Sequence, residues 1–561
     1  MTSTFFGLET AYRGLTAQQS ALSTVAQNVS NANTPGYTRQ RVNMVATDAF
    51  PSPGMNSPQI AGTLGTGVTT GSVQRIRDQF LDTQYRGQNT QLGEWSAKSD
   101  ALSQMENIMN EPSDSGLSAT MGQFYQSLQD LSTNPEDEGS RSVVLQNGTA
   151  VADTFHYIND SLTSIQGNLG DQIGSSVTDI NSTLQQISDL NKQIGTVEAN
   201  GNLPNDLYDQ RDNLVDQLSS YMNIKVDRVP SGGNASAMAE GQYNISMVNP
   251  DGSQIQLVQK GTNASIAIKG GIDTNNDGIP DRPNGNQAVS AITVSQLGDP
   301  QTVAKEIGIS TNGTIGISAG KLSGLIENFG YTDTTTDAQG NAVTSTKGYY
   351  PQMMDNLDKL AYTFGTVFNA VQDQGYDLNG QKGTDFFTFG SLSDYHGAAA
   401  AINEVSNLTT SQIAAASSNT LDSNGKPIAA KAGDGNNAIN LAGVQDYDLS
   451  KPITLGGGMG TLDLSANSSN IFQTGTISSN YQGMIGKLGV DSQQASRLST
   501  NSTTLLQSVD NNRQSVSSVS IDEEMTNMIK YQQAYSASAR MVTMMDDILD
   551  KVVNGLGTGG R

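Results

Sequence analysis

Cysteine is absent from the 561 residues, and histidine occurs only at His156 and His396. The first absence excludes disulfides, thiolate nucleophiles and thiolate metal sites. The second excludes a histidine-rich metal centre. The two histidines lie far apart in the chain and read as surface or packing residues, because a general base needs supporting groups around it. Basic residues are also scarce. Thirty Lys and Arg face 54 Asp and Glu, for a formal net charge of −24. That balance opposes nucleic-acid binding, which uses cationic side chains to displace counterions from phosphates. It opposes anionic membrane surfaces as well, while favouring solubility and keeping free chains apart. No apolar run approaches the roughly 18 residues of a membrane-spanning helix. The opening MTSTFFGLETAYRGLTAQQ lacks the basic start and apolar run of a secretory signal peptide. Hydrophobic residues make up 35% and charged residues 15%. Much of the remainder is Gln, Asn, Ser, Thr and Gly, which suits several modest cores better than one large one. The length allows about three or four domains.

The two ends of the chain carry the clearest pattern. Leu8, Leu15, Leu22 and Val29 recur every seven residues, and Ala11, Gln18 and Val25 supply a second seam. The other faces of this helix are polar and uncharged, except for Glu9 and Arg13, an i,i+4 pair. Asn33-Thr34-Pro35-Gly36, followed by Tyr37, stops the helix, because proline disfavours helical geometry in the residue before it. At the other end, Ile521, Met528, Tyr535, Val542 and Leu549 form another seven-residue series. Ser520 with Glu523 predicts a capping box, Asp522 to Glu524 suit the helix N-terminus, and Asn554-Gly555 suit its stop. Two terminal helices with apolar seams predict pairing as a coiled coil. The chain then leaves one end of the pair, builds its middle, and returns.

Between the ends, helices are expected from about 75 to 110, from 116 to 200 with a break near Asn134-Pro135, and from Leu203 to Met222. In the last, Leu207, Leu214 and Leu218 share one face. Tyr243 to Gln259 alternates about a Pro-Asp-Gly turn, and Ile307 to Ile317 about Asn312-Gly313, so each predicts a β-hairpin. Pro51 to Gly71 reads as loop with short strands. Helix returns near Lys321 and from Tyr350 to Gly375, where Leu357, Leu360, Phe364, Phe368 and Val371 make a stripe. Small residues dominate from Gly380 to Ser478, and helix resumes near Ser479. The expected fold is multidomain, mainly α with a mixed α+β or β outer part, and its intermediate domains are discontinuous in sequence. The division is 1–36 with 518–561 as the inner coiled coil; 37–222 with 320–378 and 479–517 as a helical second domain; and 223–319 with 379–478 as the outer part.

The stretch GLTAQQSALSTVAQNVSNANTPGYTRQRV, Gly14 to Val42, closely resembles the N-terminal signature of the bacterial flagellar axial family of rod, hook and hook-associated proteins. DEEMTNMIKYQQAYSASARMVTMMDDILDKVVN, Asp522 to Asn554, is similar to the paired C-terminal signature. Leu203–Tyr221, Phe368–Phe387 and Gly433–Asp446 resemble the hook-associated members, specifically the first of two junction proteins between hook and filament. The resemblance implies a structural part without catalysis or cofactor. It implies a ring of copies on the hook end, with the hook protein below and the second junction protein above. It also implies a secreted flagellar location, reached by type III export without a cleaved signal, with an export chaperone at the C-terminal helices. Neither nucleic acid nor membrane is among the implied partners.

Some features invite other readings. Asp273, Asn275 and Asp277 alternate ahead of Gly278 like an oxygen-ligand calcium loop, but Asn284 stands where an EF-hand has its bidentate Glu, so a turn-rich loop is expected. The acidic group in Asn134 to Gly139 reads as a helix start. Rival functions are a hook-like tube former, an adhesin using the β-containing part, and a wall-acting enzyme with paired carboxylates. Each terminal helix alone has little to bury against, so both are expected to fray in the free chain.

Overall fold

The computed structural model describes residues 5–50, 62–109, 111, 113, 116–337, 339–422, 425–464 and 471–555. The loop expected from Pro51 to Gly71 therefore lies partly outside the described residues. Helix α1 (Phe6–Ser30) leads into the antiparallel hairpin β1 (Gln40–Ala46) and β2 (Val68–Arg75), which carries a bulge at Asn43/Met44. Helices α2 (Gln79–Met109), α3 (Leu117–Thr133), α4 (Glu138–Ala199) and α5 (Asn205–Tyr221) follow. At 62 residues, α4 is about 90 Å long. Asp137 caps it, accepting from the Ser140 amide at 2.7 Å, as the acidic group there suggested. Val144, Val151, Phe155, Ile158 and Leu162 begin a fully buried stripe that continues through Ile173, Val177, Leu184 and Ile187 to Ile194. This helix is a spine on which many of the other helices and strands of the body pack.

Three small sheets follow. Strands β3 (Ile224–Val229), β4 (Gln242–Val248), β5 (Gln254–Gln259) and β6 (Thr262–Asn263) form one antiparallel sheet in sequence order. β7 (Ile266–Ile268), β8 (Ala291–Gln296) and β9 (Asp299–Gly308) form a second. β10 (Ser310–Thr311), β11 (Thr314–Ile315), β12 (Tyr331–Thr336) and β13 (Ala342–Lys347) form a third, in the order β11-β10-β12-β13. Both expected hairpins are present, as β4–β5 and β10–β11. The second is short because the chain before it pairs with β8. Amide side chains of α4 hold the sheets in register. Asn191 donates to the Tyr243 carbonyl at 2.8 Å and accepts from the Tyr243 amide at 3.1 Å, while Asn181 makes the same reciprocal pair with Ile266.

Helix α6 (Lys321–Phe329) lies between β11 and β12, and α7 (Tyr349–Gln372) follows β13. The small-residue stretch after α7 forms two-stranded pairs with α8 (Ala398–Ala401) and α9 (Asn436–Ala442), packed on α3, α4 and α7. There the buried rings of Phe124, Phe364, Phe368, Phe386 and Phe387 meet edge to face or tilted, at centroid distances of 4.7–6.2 Å. Two long helices close the chain. α10 (Ile477–Ser517) runs antiparallel to α2, with Tyr481 against Glu111 and Ser492 against Glu106, and α11 (Ile521–Gly555) returns alongside α1.

Terminal helix pair and the charged junction beneath it

The two terminal helices pack antiparallel. A Cβ on Gly7 would stand 2.8 Å from the Met545 Cε, and one on Gly14 would stand 3.3 Å from the Ser538 Oγ. The seven-residue steps of the two helices thus run in opposite directions, and glycine permits the closest approach near the tip. Of the expected seam residues on α1, Val25 is buried, while Leu8, Ala11, Leu15, Leu22 and Val29 are half-buried. On α11, Met528, Tyr535, Val542 and Leu549 are half-buried, whereas Ile521 is 52% exposed. Glu524, Tyr531, Ser538 and Met545 form a second series on the covered side of α11. Its spacing was visible in the sequence, but its mixed chemistry hides it from a search for apolar repeats. The deepest apolar positions of α1, Ala17 and Ala21, lie off the leucine series because α1 also packs on β1 and β2.

Two apolar stripes remain outside this pairing. Ile521, Met525 and Ile529 are spaced by four near the root of α11; Met541, Met544, Ile548 and Val552 are spaced by three or four along its outer half. All seven are 38–54% exposed. The outward face of α1 is uncharged apart from Glu9 and Arg13, which pair with each other at 3.0 Å.

The break motif sits where the pair joins the helical body. Asn28 of α1 is fully buried and ties the two sides of the turn together. Its amide donates to the Gln40 carbonyl at 2.8 Å, and its oxygen accepts from the Gln40 amide at 3.0 Å and the Tyr37 hydroxyl at 2.9 Å. Burial raises the Tyr37 phenol well above its ordinary range, helped by the Asp209, Asp206 and Glu524 carboxylates, so it remains a donor. Asn33, Thr34 and Pro35 form the turn itself, with the Thr34 amide on the Asn31 carbonyl. Gly36 has φ +78° and lies so close to α5 that a Cβ would fall 2.1 Å from the Asn213 amide atoms. The returning chain is tied in at the same level. The Arg39 amide donates to the Ser517 carbonyl at 2.9 Å, and the Arg39 guanidinium pairs with Glu523. Glu523 therefore does not complete the expected capping box; only the longer contact from its amide to the Ser520 Oγ, at 3.5 Å, is present.

Below the turn lies a buried cluster of opposite charges. Arg75 of β2 reaches Asp209 at 2.6 Å, Asp212 at 2.9 Å and Glu240 at 2.5 Å. Arg77 reaches Asp82 at 2.7 Å and Asp212 at 3.2 Å, and Arg86 of α2 reaches Asp216 at 2.8 Å and Asp212 at 3.4 Å. Arg513 of α10, stacked 3.8 Å from the Tyr85 ring centroid, reaches Asp216 at 2.5 Å. Asp212 is 1% exposed and also accepts from the Tyr243 hydroxyl at 2.9 Å. Burial alone would raise its pKa, but Arg77, Arg75, Arg86 and Arg211 hold it well below the usual carboxylate range. Early, middle and late parts of the chain thus meet on α5. The expected Leu207–Leu214–Leu218 face of α5 is only partly its core. Leu218 is fully buried, but so are Tyr208, Arg211 and Val215, with Asp209, Asp212 and Asp216 close behind. Acid residues spaced by three and four were legible as a helical stripe, and the arginines bury it by pairing.

His156 sits half-buried on α4; His396 is exposed between Asp355 and Asp394. In the calcium-like loop, Asp273 accepts from the Gly278 amide and Asp277 from the Ile279 amide, so the carboxylates serve their own turn. Among the described residues, no group of three or more His, Cys, Asp or Glu is placed to hold a metal ion.

The matched families place this chain, with its paired ends, among the flagellar axial proteins. "Flagella basal body rod protein" matches residues 8–38 and "Flagellar basal body rod FlgEFG protein C-terminal" matches 510–556. "Flagellar hook-associated protein FlgK helical domain" matches residues 102–387. The chain is 44% identical, over all of both chains, to flagellar hook-associated protein 1 of Bacillus subtilis (strain 168). It is 27% identical to the Salmonella typhimurium protein of that name, covering 97% of this chain and 98% of that one. The solved flagellar hook junction protein FlgK from Burkholderia pseudomallei shares the fold, with a TM-score of 0.56 at 15% identity, over 77% of this chain and all of that one. The chain belongs to the flagellar hook-associated protein 1 (FlgK) family.

Proposed function

We propose that the chain is a structural junction subunit, assembling as a ring on the distal end of the flagellar hook and joining hook to filament through the second junction protein. The observation that carries this reading is the terminal pair itself. Its own chain covers one side of α11, and two apolar stripes stay open beside an α1 whose charges, Glu9 and Arg13, pair with each other. Neutral faces allow identical copies to approach without repulsion, and apolar stripes reward it at about 25 cal/mol per Å² buried. In this reading the seam residues from Leu8 to Val29 and from Met528 to Leu549 interlock as a coiled coil. Asn33 to Tyr37 turn the chain outwards, and the body is divided as 37–222 with 320–378 and 479–517. The segments 223–319 and 379–478 then lie outermost.

The same reading makes the protein a secreted part of the flagellum, exported without a cleaved signal and held beforehand by a chaperone on the C-terminal helices. It assigns no catalysis and no cofactor. Among the described residues, no helix is long and apolar enough to cross a membrane. Electron microscopy of cells lacking the gene tests the reading. Hooks of normal length without filaments, with filament subunits lost to the medium, are expected. Intact filaments would overturn it.

A further inference from the structure

Resting on that reading, we propose that Met525, Met541 and Met544 form a peroxide-sensitive modification site that decides whether a free subunit can dock. The three thioethers lie on the two uncovered stripes of α11 and are 46%, 44% and 54% exposed. Most other methionines among the described residues are shielded, Met238 excepted. Met105, Met109, Met121, Met222 and Met247 are core residues, Met528 is half-buried, and Met545 is wedged against Gly7. Solvent access decides which thioether a small oxidant reaches, so within α11 the methionines of the docking stripes are the reactive ones.

The chemistry needs only hydrogen peroxide. The methionine sulfur attacks one peroxide oxygen, the O–O bond breaks, and an S–O bond forms. The sulfur loses two electrons, the peroxide gains them, and one water leaves. The product is a polar sulfoxide in the middle of an apolar stripe. In the free chain that oxygen is solvated and the fold is unaffected, because none of the three side chains is in the core. In a docked subunit it would be buried among apolar groups without a donor, which weakens docking by about tenfold or more per sulfoxide. Methionine sulfoxide reductases reverse the modification. The subunit is therefore sensitive before it docks and protected afterwards.

Purified full-length protein, treated with hydrogen peroxide or left untreated, would be added to hook-ended flagella from cells lacking the gene. Peptide mass mapping would locate each added oxygen. Met238, 52% exposed on the loop before β4, supplies an internal control of equal access away from the helix pair. Expected results are oxygen uptake at the three α11 positions and at Met238, loss of docking, and recovery after sulfoxide reductase. The M525L/M541L/M544L protein should dock and keep docking after peroxide, whereas M238L should remain sensitive. Docking that survives full oxidation of the three, or a triple-leucine variant that peroxide still inactivates, would overturn the proposal alone. Failure of the untreated chain to dock would overturn the proposed function and this proposal together.

Discussion

Asp212→Ala is the change that should damage the body most, although it removes only a carboxylate. Three guanidiniums lie within 3.4 Å of that group, and Tyr243 donates to it. Breaking a buried ion pair by deleting one partner costs about 3–5 kcal/mol, because the opposite charge stays buried. Here each arginine keeps another acid: Arg75 has Asp209 and Glu240, Arg77 has Asp82, and Arg86 has Asp216. The loss should therefore fall near the lower end, about 3 kcal/mol, with the orphaned Tyr243 hydroxyl adding about 1 kcal/mol. The single tryptophan, Trp95, lies on α2, the helix that carries Arg86, and reports the transition. Urea unfolding followed by its fluorescence should show a clearly lower midpoint for Asp212→Ala. Glu306→Ala, which breaks the exposed Lys269 pair, should cost less than about 1 kcal/mol. The Asp212 contribution also has a pH signature. Its folded pKa is depressed, so the stabilisation is complete above the unfolded value of about 4 and is lost as pH falls through it towards the folded value. Equal midpoints for Asp212→Ala and Glu306→Ala would refute the argument that the charged cluster holds the body together.

Three further outcomes are expected. Gly36→Ala combines a left-handed backbone with a clash on Asn213, so it should cost at least about 1–2 kcal/mol, and Asn213→Ala should restore only part of that in denaturation experiments. Asn28→Ala strands the Gln40 amide, the Gln40 carbonyl and the Tyr37 hydroxyl, at about 1–3 kcal/mol, and hydrogen exchange should show the Gln40 amide opening early. Amides of Leu8 to Val29 should exchange much faster than those of α4 in the free chain; equal protection would contradict the view that the terminal helices are completed by assembly.

Helix positions were largely legible because periodicity and punctuation coincide. Leucines at sevens and Thr34-Pro35-Gly36 bracket α1, and Asn134-Pro135 precedes the cap of α4. The two hairpins were legible through Pro-Asp-Gly and Asn-Gly, which supply the turn conformations those connections need. The charged junction was not. Arg75, Arg77, Arg86 and Arg513 are scattered over more than 400 positions, and an isolated charge is assigned to solvent until its partners are known. The second α11 series escaped for a related reason: Glu524, Tyr531 and Ser538 are covered through what they face rather than through their own hydrophobicity. Glu523 illustrates the limit of local motifs, since a contact to Arg39, 484 positions away, replaces its capping role.

The central claim is that the open stripes of α11 are the surface through which copies join the flagellum. Met544→Asp with Ile548→Asp, introduced in the chromosomal gene, tests it most directly, because both side chains are about half exposed and neither belongs to the core. The account predicts that the variant chain is made and folds, with the Trp95 unfolding midpoint of the parent, while the cells carry hooks without filaments and release the chain to the medium. Normal filaments on cells carrying both substitutions would contradict it.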